Sequence, residues 1–189
     1  RMAAQVDLLS NGRLEVGVGA GWNVPEHQAF GLPFPPLGTR MDLLEEGIQV
    51  LQALWADAPA NFHGRHYQLQ DAICYPKPTQ APLPLVVGGI GERRTLRIAA
   101  LYANHWNAVG VNAQGFAHKR AILDSHCAEV GRDPQSVHRS LMAGFIVGRD
   151  ALAVEEHLGR IAWAVRTPLG PGNSGNPLKS LRDFGWLVG

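Results

Sequence analysis

A glycine-rich turn gives this sequence its strongest chemical signal. An apolar segment leads into three glycines and a helix start, reading Val86-Val87-Gly88-Gly89-Ile90-Gly91-Glu92-Arg93-Arg94-Thr95. Glycines let backbone N–H groups approach an anion, and the first turn of a helix favours negative charge. Arginine and threonine side chains add further donors. The pattern predicts a phosphate-binding site made of Gly88, Gly89, Ile90, Gly91, Arg93, Arg94 and Thr95.

The alternative for this segment is an ordinary glycine turn followed by two solvated arginines. The G-x-G-x-x-G spacing of dinucleotide-binding folds is absent from it. A Rossmann-type nucleotide site is therefore not predicted.

A second turn of small residues follows another short strand pattern. It reads Gly17-Val18-Gly19-Ala20-Gly21-Trp22-Asn23. Small residues leave room for a flat ring, and an indole and an amide supply an apolar wall and a hydrogen-bonding group. We expect Ala20, Gly21 and Trp22 to line a ligand ring. The alternative is a loose turn with Trp22 packed under the following loop.

The remaining reactive residue types point to structural roles. His63 and His66 lie three residues apart with no third ligand in the pattern, so no metal site is predicted. Cys127 lies on an apolar helix stripe and is expected in the core. Trp106-Asn107 ends another strand in the same way as the second turn, and Trp106 in the core is the preferred interpretation over a ligand-lining role. His105 is expected to be structural or exposed. No residue is assigned as a catalytic acid, base or nucleophile.

Strands alternate with helices along most of the chain, which is typical of an α/β fold with a parallel sheet. The strand patterns lie at 14–19, 84–87, 106–109 and 137–147, and the helix patterns at 39–57, 92–102, 114–130 and 150–165. Thr39 and Asp42 have the spacing of a capping box. We interpret 60–83 as an inserted segment containing a hairpin, and 167–184 as an irregular loop. The whole of 1–189 is predicted to be one incomplete domain.

Two architectures fit this order, an open doubly wound sheet and a (β/α)₈ barrel. A closed barrel usually takes about 250 residues, so on the barrel reading the chain of 189 residues is a part of one. The start, RMAAQVDLLSNGR, reads as the end of a helix and not as a signal peptide. We expect the chain to begin within a fold.

Composition excludes several classes of protein. Apolar residues make up 46% of the chain, which is enough for a hydrophobic core. The net charge of +1 gives no excess of positive charge for binding nucleic acid. No apolar stretch reaches the roughly 18 residues of a membrane span. Two cysteines form no disulfide framework, so a cytoplasmic location is expected.

Several segments together resemble the luciferase-like monooxygenase superfamily, in its flavin- and coenzyme F420-dependent oxidoreductase branch. They are Leu9 to Arg13 leading into Gly17 to Asn23, then Phe30-Gly31, Arg40 to Leu54, Phe62 to Tyr67, Pro76-Lys77-Pro78 and Val86 to Gly91. The resemblance implies a partial (β/α)₈ TIM barrel that lacks the N-terminal strands and the last unit. By analogy 14–19 is the fourth barrel strand and 84–88 the fifth.

The resemblance also implies a function. It is oxidation or reduction of a small organic substrate, by hydride transfer or monooxygenation, with coenzyme F420 or, as the alternative, FMN. The cofactor phosphate would meet Gly88, Gly89, Gly91 and Thr95, and the full-length protein would be a homo-oligomer. Trp22 stands where some members have a proton-donating glutamate, and Ala20 where luciferase has an arginine. A non-catalytic binding barrel or an inactive fragment is therefore the alternative.

Overall fold

The computed structural model describes residues 1–142, 145–166 and 187–188, with side chains at 1–142 and 146–160. The helices are α1 (Met2–Leu9), α2 (Val24–Ala29), α3 (Leu37–Trp55), α4 (Thr95–Tyr102), α5 (Ala113–Glu129) and α6 (Ala151–Arg166). The strands are β1 (Val16–Val18), β2 (Ala60–His63), β3 (Gln68–Ala72), β4 (Leu85–Gly88), β5 (His105–Val109), β6 (His138–Met142), β7 (Phe145–Ile146) and β8 (Leu187–Val188). A short 3₁₀ helix, Pro134–Ser136, precedes β6.

The chain divides into two compact units. One comprises Arg1–Asn107 and Ala121–Ser140, and the other comprises Ala108–Arg120 and Leu141–Gly189. All the predicted binding residues lie in the first unit. The interpretation of 1–189 as one domain stays a prediction, and the irregular loop expected at 167–184 lies outside the described residues.

A four-stranded sheet in the order β1-β4-β5-β6 has most of its residues in the first unit. The pairs β1–β4 and β4–β5 are parallel, with Val18 opposite Val87 and Gly88 opposite Asn107. This confirms the α/β class predicted from the alternating pattern. Because the strands are parallel, their carboxyl ends, and the turns that follow them, meet at one edge.

Burial alternates along the central strands because successive side chains point to opposite faces. Leu85 and Val87 of β4 and Trp106 and Ala108 of β5 are buried. The residues between them, among them Val86, His105 and Asn107, are only partly buried. The sheet thus has one densely packed face and one face that carries polar side chains.

Two helix starts differ from the sequence prediction. Helix α3 begins at Leu37, after Pro36, so the capping box predicted at Thr39 is wrong. Its predicted apolar stripe is largely confirmed, because Leu44, Ile48 and Trp55 are buried. Helix α4 begins at Thr95 and not at 92, since the three residues before it form a turn.

Helix α2 lies in a segment rich in proline and glycine, where the sequence patterns predicted no helix. Asn23 caps it, since Asn23 Oδ1 accepts from the N–H of Glu26 at 3.3 Å. Pro25 occupies its first turn, where a missing N–H costs nothing. An asparagine cap followed by a proline was thus a helix signal within the proline-rich segment.

The insertion segment contains the predicted hairpin. Strands β2 and β3 pair antiparallel, and Glu46 of α3 holds the turn between them. The Glu46 carboxylate accepts from the N–H groups of Arg65 at 2.9 Å, His66 at 2.8 Å and Tyr67 at 3.2 Å. Burial acts to raise the pKa of Glu46, but these donors outweigh it and lower that pKa.

The structure also places Cys127 and His63. Cys127 is fully buried, as predicted, and burial raises the pKa of its thiol. His63 Nδ1 lies 3.3 Å from Gln68 Oε1. Over the described residues, no three metal-binding side chains come together, and no helix there has the length and apolar character to cross a membrane.

A buried carboxylate fixes α1 to the segment before β4. Asp7 is 0% exposed, and it accepts from the backbone N–H of Gln80 at 3.0 Å and from the Gln80 side-chain amide at 2.7 Å. Burial acts to raise the pKa of Asp7, but the hydrogen bonds from Gln80, Thr79 and Leu14 lower it below its ordinary value. Asp7 therefore stabilises the fold above about pH 4.

This contribution is lost as the pH falls through the lowered folded pKa of Asp7. We expect the thermal midpoint of the full-length protein to fall less steeply below about pH 4 in Asp7→Asn, whose side chain does not titrate. Thermal unfolding followed by circular dichroism measures this. The exposed Asp57 gives the matched control, Asp57→Asn. Parallel curves for Asp7→Asn and the parent protein would contradict the assignment.

Candidate functional site

The glycine turn leaves the carboxyl end of β4 and is fixed by β5. Gly89 has φ +124°, a conformation that side-chain-bearing residues rarely adopt. Its N–H donates to the Asn107 carbonyl at 3.0 Å, and its carbonyl accepts from Trp106 Nε1 at 2.7 Å. The path of the turn is therefore set by the strand beside it. Because the Gly89 N–H donates to Asn107, it is not available to a ligand.

Thr95 closes the turn from the other side. A Cβ at Gly91 would stand 2.8 Å from Thr95 Oγ1, and one at Gly89 would stand 3.2 Å from Thr95 Cγ2. The Thr95 hydroxyl thus faces the glycine backbone at the first residue of α4. The N–H groups of Ile90 and Gly91 meet no hydrogen-bond acceptor in the described part of the chain. This is a cradle of small residues, open backbone donors and one hydroxyl, suited to an anion.

The two arginines of the predicted site point to different surroundings. Arg94 Nη1 lies 2.7 Å from Asp42 and donates to the Gly38 carbonyl at 3.1 Å, and Arg94 Nη2 lies 3.5 Å from Glu45. Its guanidinium joins the start of α4 to α3. Arg93 is exposed to solvent. The structure thus gives Arg94 carboxylate partners that the sequence pattern did not show.

The second predicted turn lies next to the first. A Cβ at Gly19 would be 3.6 Å from the Gly88 carbonyl, and one at Gly88 would be 3.8 Å from the Val18 carbonyl. The ends of β1 and β4 therefore form a continuous backbone surface without side chains. Ala20 and Gly21 follow at its edge, and Trp22 is 84% exposed. The indole is free of the loop that the alternative interpretation placed over it.

Arg40 holds this second turn, a role that the sequence pattern did not indicate. Its Nη1 donates to the carbonyls of Ala20, at 3.2 Å, and Gly21, and its Nε donates to the Pro35 carbonyl at 3.0 Å. The guanidinium carbon lies 4.0 Å from the centre of the Phe34 ring. A lone arginine near the start of an apolar helix was the available signal, but its partners are 5 to 20 residues away.

A cleft of about 640 Å³ lies beside β1. Its walls are the backbone of β1 and Ala20, the apolar side of α3, Arg40 and Tyr67. Ala20 is the one predicted site residue that lines it; the glycine turn at 88–91 does not. The candidate site is thus the strand-end surface of β1 and β4, with an anion cradle at one end and the cleft beside the other.

Comparison with known proteins identifies relatives of this architecture. The family model for luciferase-like monooxygenases matches residues 1–181. The pyrimidine monooxygenase RutA of Stutzerimonas stutzeri (strain A1501) is 37% identical over 138 residues, covering 70% of this chain and 38% of that protein. The FMNH(2)-dependent dimethylsulfone monooxygenase of Pseudomonas putida is 30% identical over 188 residues, covering 92% of this chain and 52% of that protein.

Solved structures share the fold at lower identity. An F420-dependent secondary alcohol dehydrogenase, in complex with an F420-acetone adduct, superposes with a TM-score of 0.74 at 24% identity, over 96% of this chain and 55% of that one. EDTA monooxygenase from Chelativorans sp. BNC1 gives a TM-score of 0.72 at 18% identity, over 86% and 44% of the two chains. The predicted partial (β/α)₈ barrel is confirmed. The chain spans between 38% and 53% of the length of the curated relatives RutA and dimethylsulfone monooxygenase.

Proposed function

This chain belongs to the luciferase-like monooxygenase family, and we propose that it supplies the cofactor-phosphate site of a flavin-type oxidoreductase. The observation that carries the proposal is the anion cradle at the end of β4. There Gly89 adopts φ +124°, and Thr95 Oγ1 would lie 2.8 Å from a Cβ at Gly91. A side chain at either glycine would press against Thr95, whose hydroxyl closes the cradle. The residues present therefore fit a cofactor that carries a phosphate group.

In this proposal each predicted residue has a defined part. The backbone of Gly88, Ile90 and Gly91 and the Thr95 hydroxyl bind the phosphate, with Arg93 as an exposed cation nearby. Gly89 keeps the turn in shape through Trp106 and Asn107. Arg94 positions the first turn of α4 through Asp42 and Glu45. Ala20, Gly21 and Trp22 border the surface on which the cofactor ring would lie.

Two cofactors are compatible with the cradle, coenzyme F420 and FMN. One relative is named for FMNH(2), and a solved structure with the same fold is named for F420. When bound, such a ring carries two electrons to or from a carbon of a small organic substrate, and FMN also activates oxygen. The protein binds the phosphate, orients the ring and shapes the substrate space. No side chain of this chain is assigned as an acid or base.

Titration of the full-length protein with four ligands tests the proposal. These are FMN, riboflavin and coenzyme F420, each followed by fluorescence, and inorganic phosphate as a competitor. We expect one of the two phosphate-bearing cofactors to bind more tightly than riboflavin, and phosphate to compete with it. Equal binding of FMN and riboflavin, together with no binding of F420, would contradict a phosphate site. Binding without any substrate-dependent absorbance change would favour a non-catalytic barrel.

The hydroxyl of Thr95 gives the sharpest prediction for this site. Thr95→Val keeps the shape of the side chain and removes the donor. A hydrogen bond to a charged group contributes about 1.5–3 kcal/mol, so we expect FMN affinity to fall between about tenfold and 100-fold. Riboflavin affinity should stay unchanged because it has no phosphate. Calorimetric titration measures both ligands.

A matched threonine variant separates this effect from a general loss of stability. Thr79 is exposed in the segment before β4. Thr79→Val should bind FMN like the parent protein. If Thr95→Val weakened riboflavin and FMN equally, the hydroxyl would not be acting on the phosphate.

A further inference from the structure

Four polar side chains on one face of the sheet form a continuous chain of hydrogen bonds. His105 Nδ1 lies 3.1 Å from Glu15 Oε2, and His105 Nε2 lies 2.6 Å from Ser140 Oγ. Asn107 Nδ2 donates to the same Ser140 Oγ at 2.7 Å. We call Glu15, His105, Ser140 and Asn107 the polar relay. The sequence predicted His105 to be structural or exposed and did not indicate these contacts.

The donors and acceptors of the polar relay match when His105 is neutral. Asn107 Nδ2–H donates to Ser140 Oγ, the Ser140 hydroxyl donates to His105 Nε2, and His105 Nδ1–H donates to Glu15. Each of these three protons then has one acceptor. The remaining polar atom of the Asn107 amide is Oδ1, for which the described residues provide no hydrogen-bond donor. The amide therefore presents an acceptor.

Asn107 lies at the same level of the sheet as the candidate site. It is paired with Gly88 across β4 and β5, and its carbonyl accepts from the Gly89 N–H at 3.0 Å. Gly88 lacks a side chain, as does Gly19 on the next strand, so the Asn107 side chain stands beside bare backbone. His105 lies two residues earlier on the same face, toward the amino end of the strand. The relay thus runs from the exposed Glu15 to the strand-end surface.

We propose that Asn107 orients the polar edge of the bound ligand, and that protonation of His105 reverses the hydrogen-bonding polarity that Asn107 presents. A proton taken up at His105 Nε2 makes that atom a donor to Ser140 Oγ. The Ser140 hydroxyl must then donate elsewhere, and the acceptor beside it is the Asn107 amide. The amide turns, Oδ1 accepts from Ser140, and Nδ2–H faces the ligand.

Side chains from three neighbouring segments lie around His105. Glu15 is a carboxylate whose Oε2 lies 3.1 Å from His105 Nδ1. The His138 ring of β6 meets the His105 ring edge-on, with 4.6 Å between centroids. The neighbour on β4 is the apolar Val86. The His105 side chain is 14% exposed and that of Glu15 is 52% exposed.

A hydroxyl, an imidazole and a carboxylate in series are also the arrangement of an activated nucleophile. Here the Asn107 Nδ2–H already donates to Ser140 Oγ. This donor is therefore not available to an oxyanion formed from a substrate. The same contact connects Ser140 to the strand-end surface. The geometry therefore favours a relay that sets the orientation of Asn107 over a nucleophile.

The first experiment measures the relay without any ligand. In ¹⁵N-labelled full-length protein, the side-chain amide signals of Asn107 and the ring nitrogens of His105 are followed by NMR between about pH 5 and pH 8, the range in which histidine titrates. We expect both to change with one shared midpoint. In Ser140→Ala the His105 ring should still titrate while the Asn107 amide no longer follows it.

A serine outside the relay provides the control. Ser125 is exposed on α5, and Ser125→Ala should keep the two signals coupled. Two outcomes would overturn the relay: an Asn107 amide that does not change with pH in the parent protein, or one that still follows His105 in Ser140→Ala. The backbone amide spectrum shows directly whether each variant is folded.

The second experiment tests the ligand, and this part rests on the proposed cofactor site. The FMN dissociation constant is measured over the same pH range. We expect a change of about fivefold across the His105 midpoint in the parent protein, and no change in Ser140→Ala or Asn107→Ala. If FMN binds with no dependence on the relay variants, Asn107 does not orient it and the ligand assignment is overturned. If neither FMN nor F420 binds the parent protein, the proposed function fails, while the NMR coupling still decides the relay.

Discussion

Gly89→Ala is expected to weaken FMN binding by about 100-fold in the full-length protein. The residue has φ +124°, and an added Cβ would lie 3.2 Å from Thr95 Cγ2. A side chain in this backbone region costs about 1–3 kcal/mol. The turn relieves that strain by rotating, which breaks its contacts to Trp106 and Asn107 and moves the donors of Ile90 and Gly91. Loss of one or two charge-assisted hydrogen bonds, at about 1.5–3 kcal/mol each, gives the expected factor.

Gly131 supplies a control, because it is a second glycine with a positive φ and lies outside the candidate site. It follows α5 with φ +68°, and a Cβ there would meet nothing within 4 Å. Gly131→Ala should lower the thermal midpoint and leave the FMN dissociation constant unchanged. Calorimetry and thermal unfolding on both variants give the comparison. Equal FMN affinities for Gly89→Ala and the parent protein would remove the main support for the phosphate site.

The sequence predicted the parts of the fold that depend on short-range patterns. Each of three features was indicated by residues within one short segment. They are the apolar run of β4, the apolar stripe of α3 and the hairpin of β2 and β3. The missed features depend on competing local rules. Helix α3 starts after Pro36, before the Thr39 that the capping-box spacing indicated. Residues 24–29 form a helix inside a proline-rich stretch because an asparagine caps it.

The residues of the candidate site were likewise predictable only where the sequence pattern is local. The glycines and Thr95 were predictable because strand, turn and helix start are adjacent in sequence, and the structure brings them together as one cradle. The partners of Arg94 were not, since Asp42 and Glu45 are about 50 residues away. The polar relay was also hidden, because its four members come from three distant segments and meet only when the strands pair. Side-chain networks across a parallel sheet leave no periodic trace in the sequence.

Trp106 connects the packing of the sheet to the shape of the site, and its replacement is expected to have the largest effect on stability. The side chain is 0% exposed, and its Nε1 donates to the Gly89 carbonyl. Trp106→Ala removes a large buried side chain and should cost about 3–5 kcal/mol of unfolding free energy. Trp106→Phe keeps most of the packing but leaves the Gly89 carbonyl without its donor, which costs about 1–3 kcal/mol. Urea unfolding of the full-length protein measures both.

The two Trp106 variants also separate packing from positioning. If the indole N–H fixes the turn, Trp106→Phe should weaken FMN binding while the protein stays folded, since the Gly89 carbonyl is then free to rotate. Trp22 gives the matched control, because its indole is 84% exposed and Trp22→Ala should change the unfolding free energy by less than about 0.5 kcal/mol. A Trp106→Phe protein with full FMN affinity would show that the glycine turn holds its shape without the indole. The donors of the cradle would then depend on Asn107 and Thr95 alone.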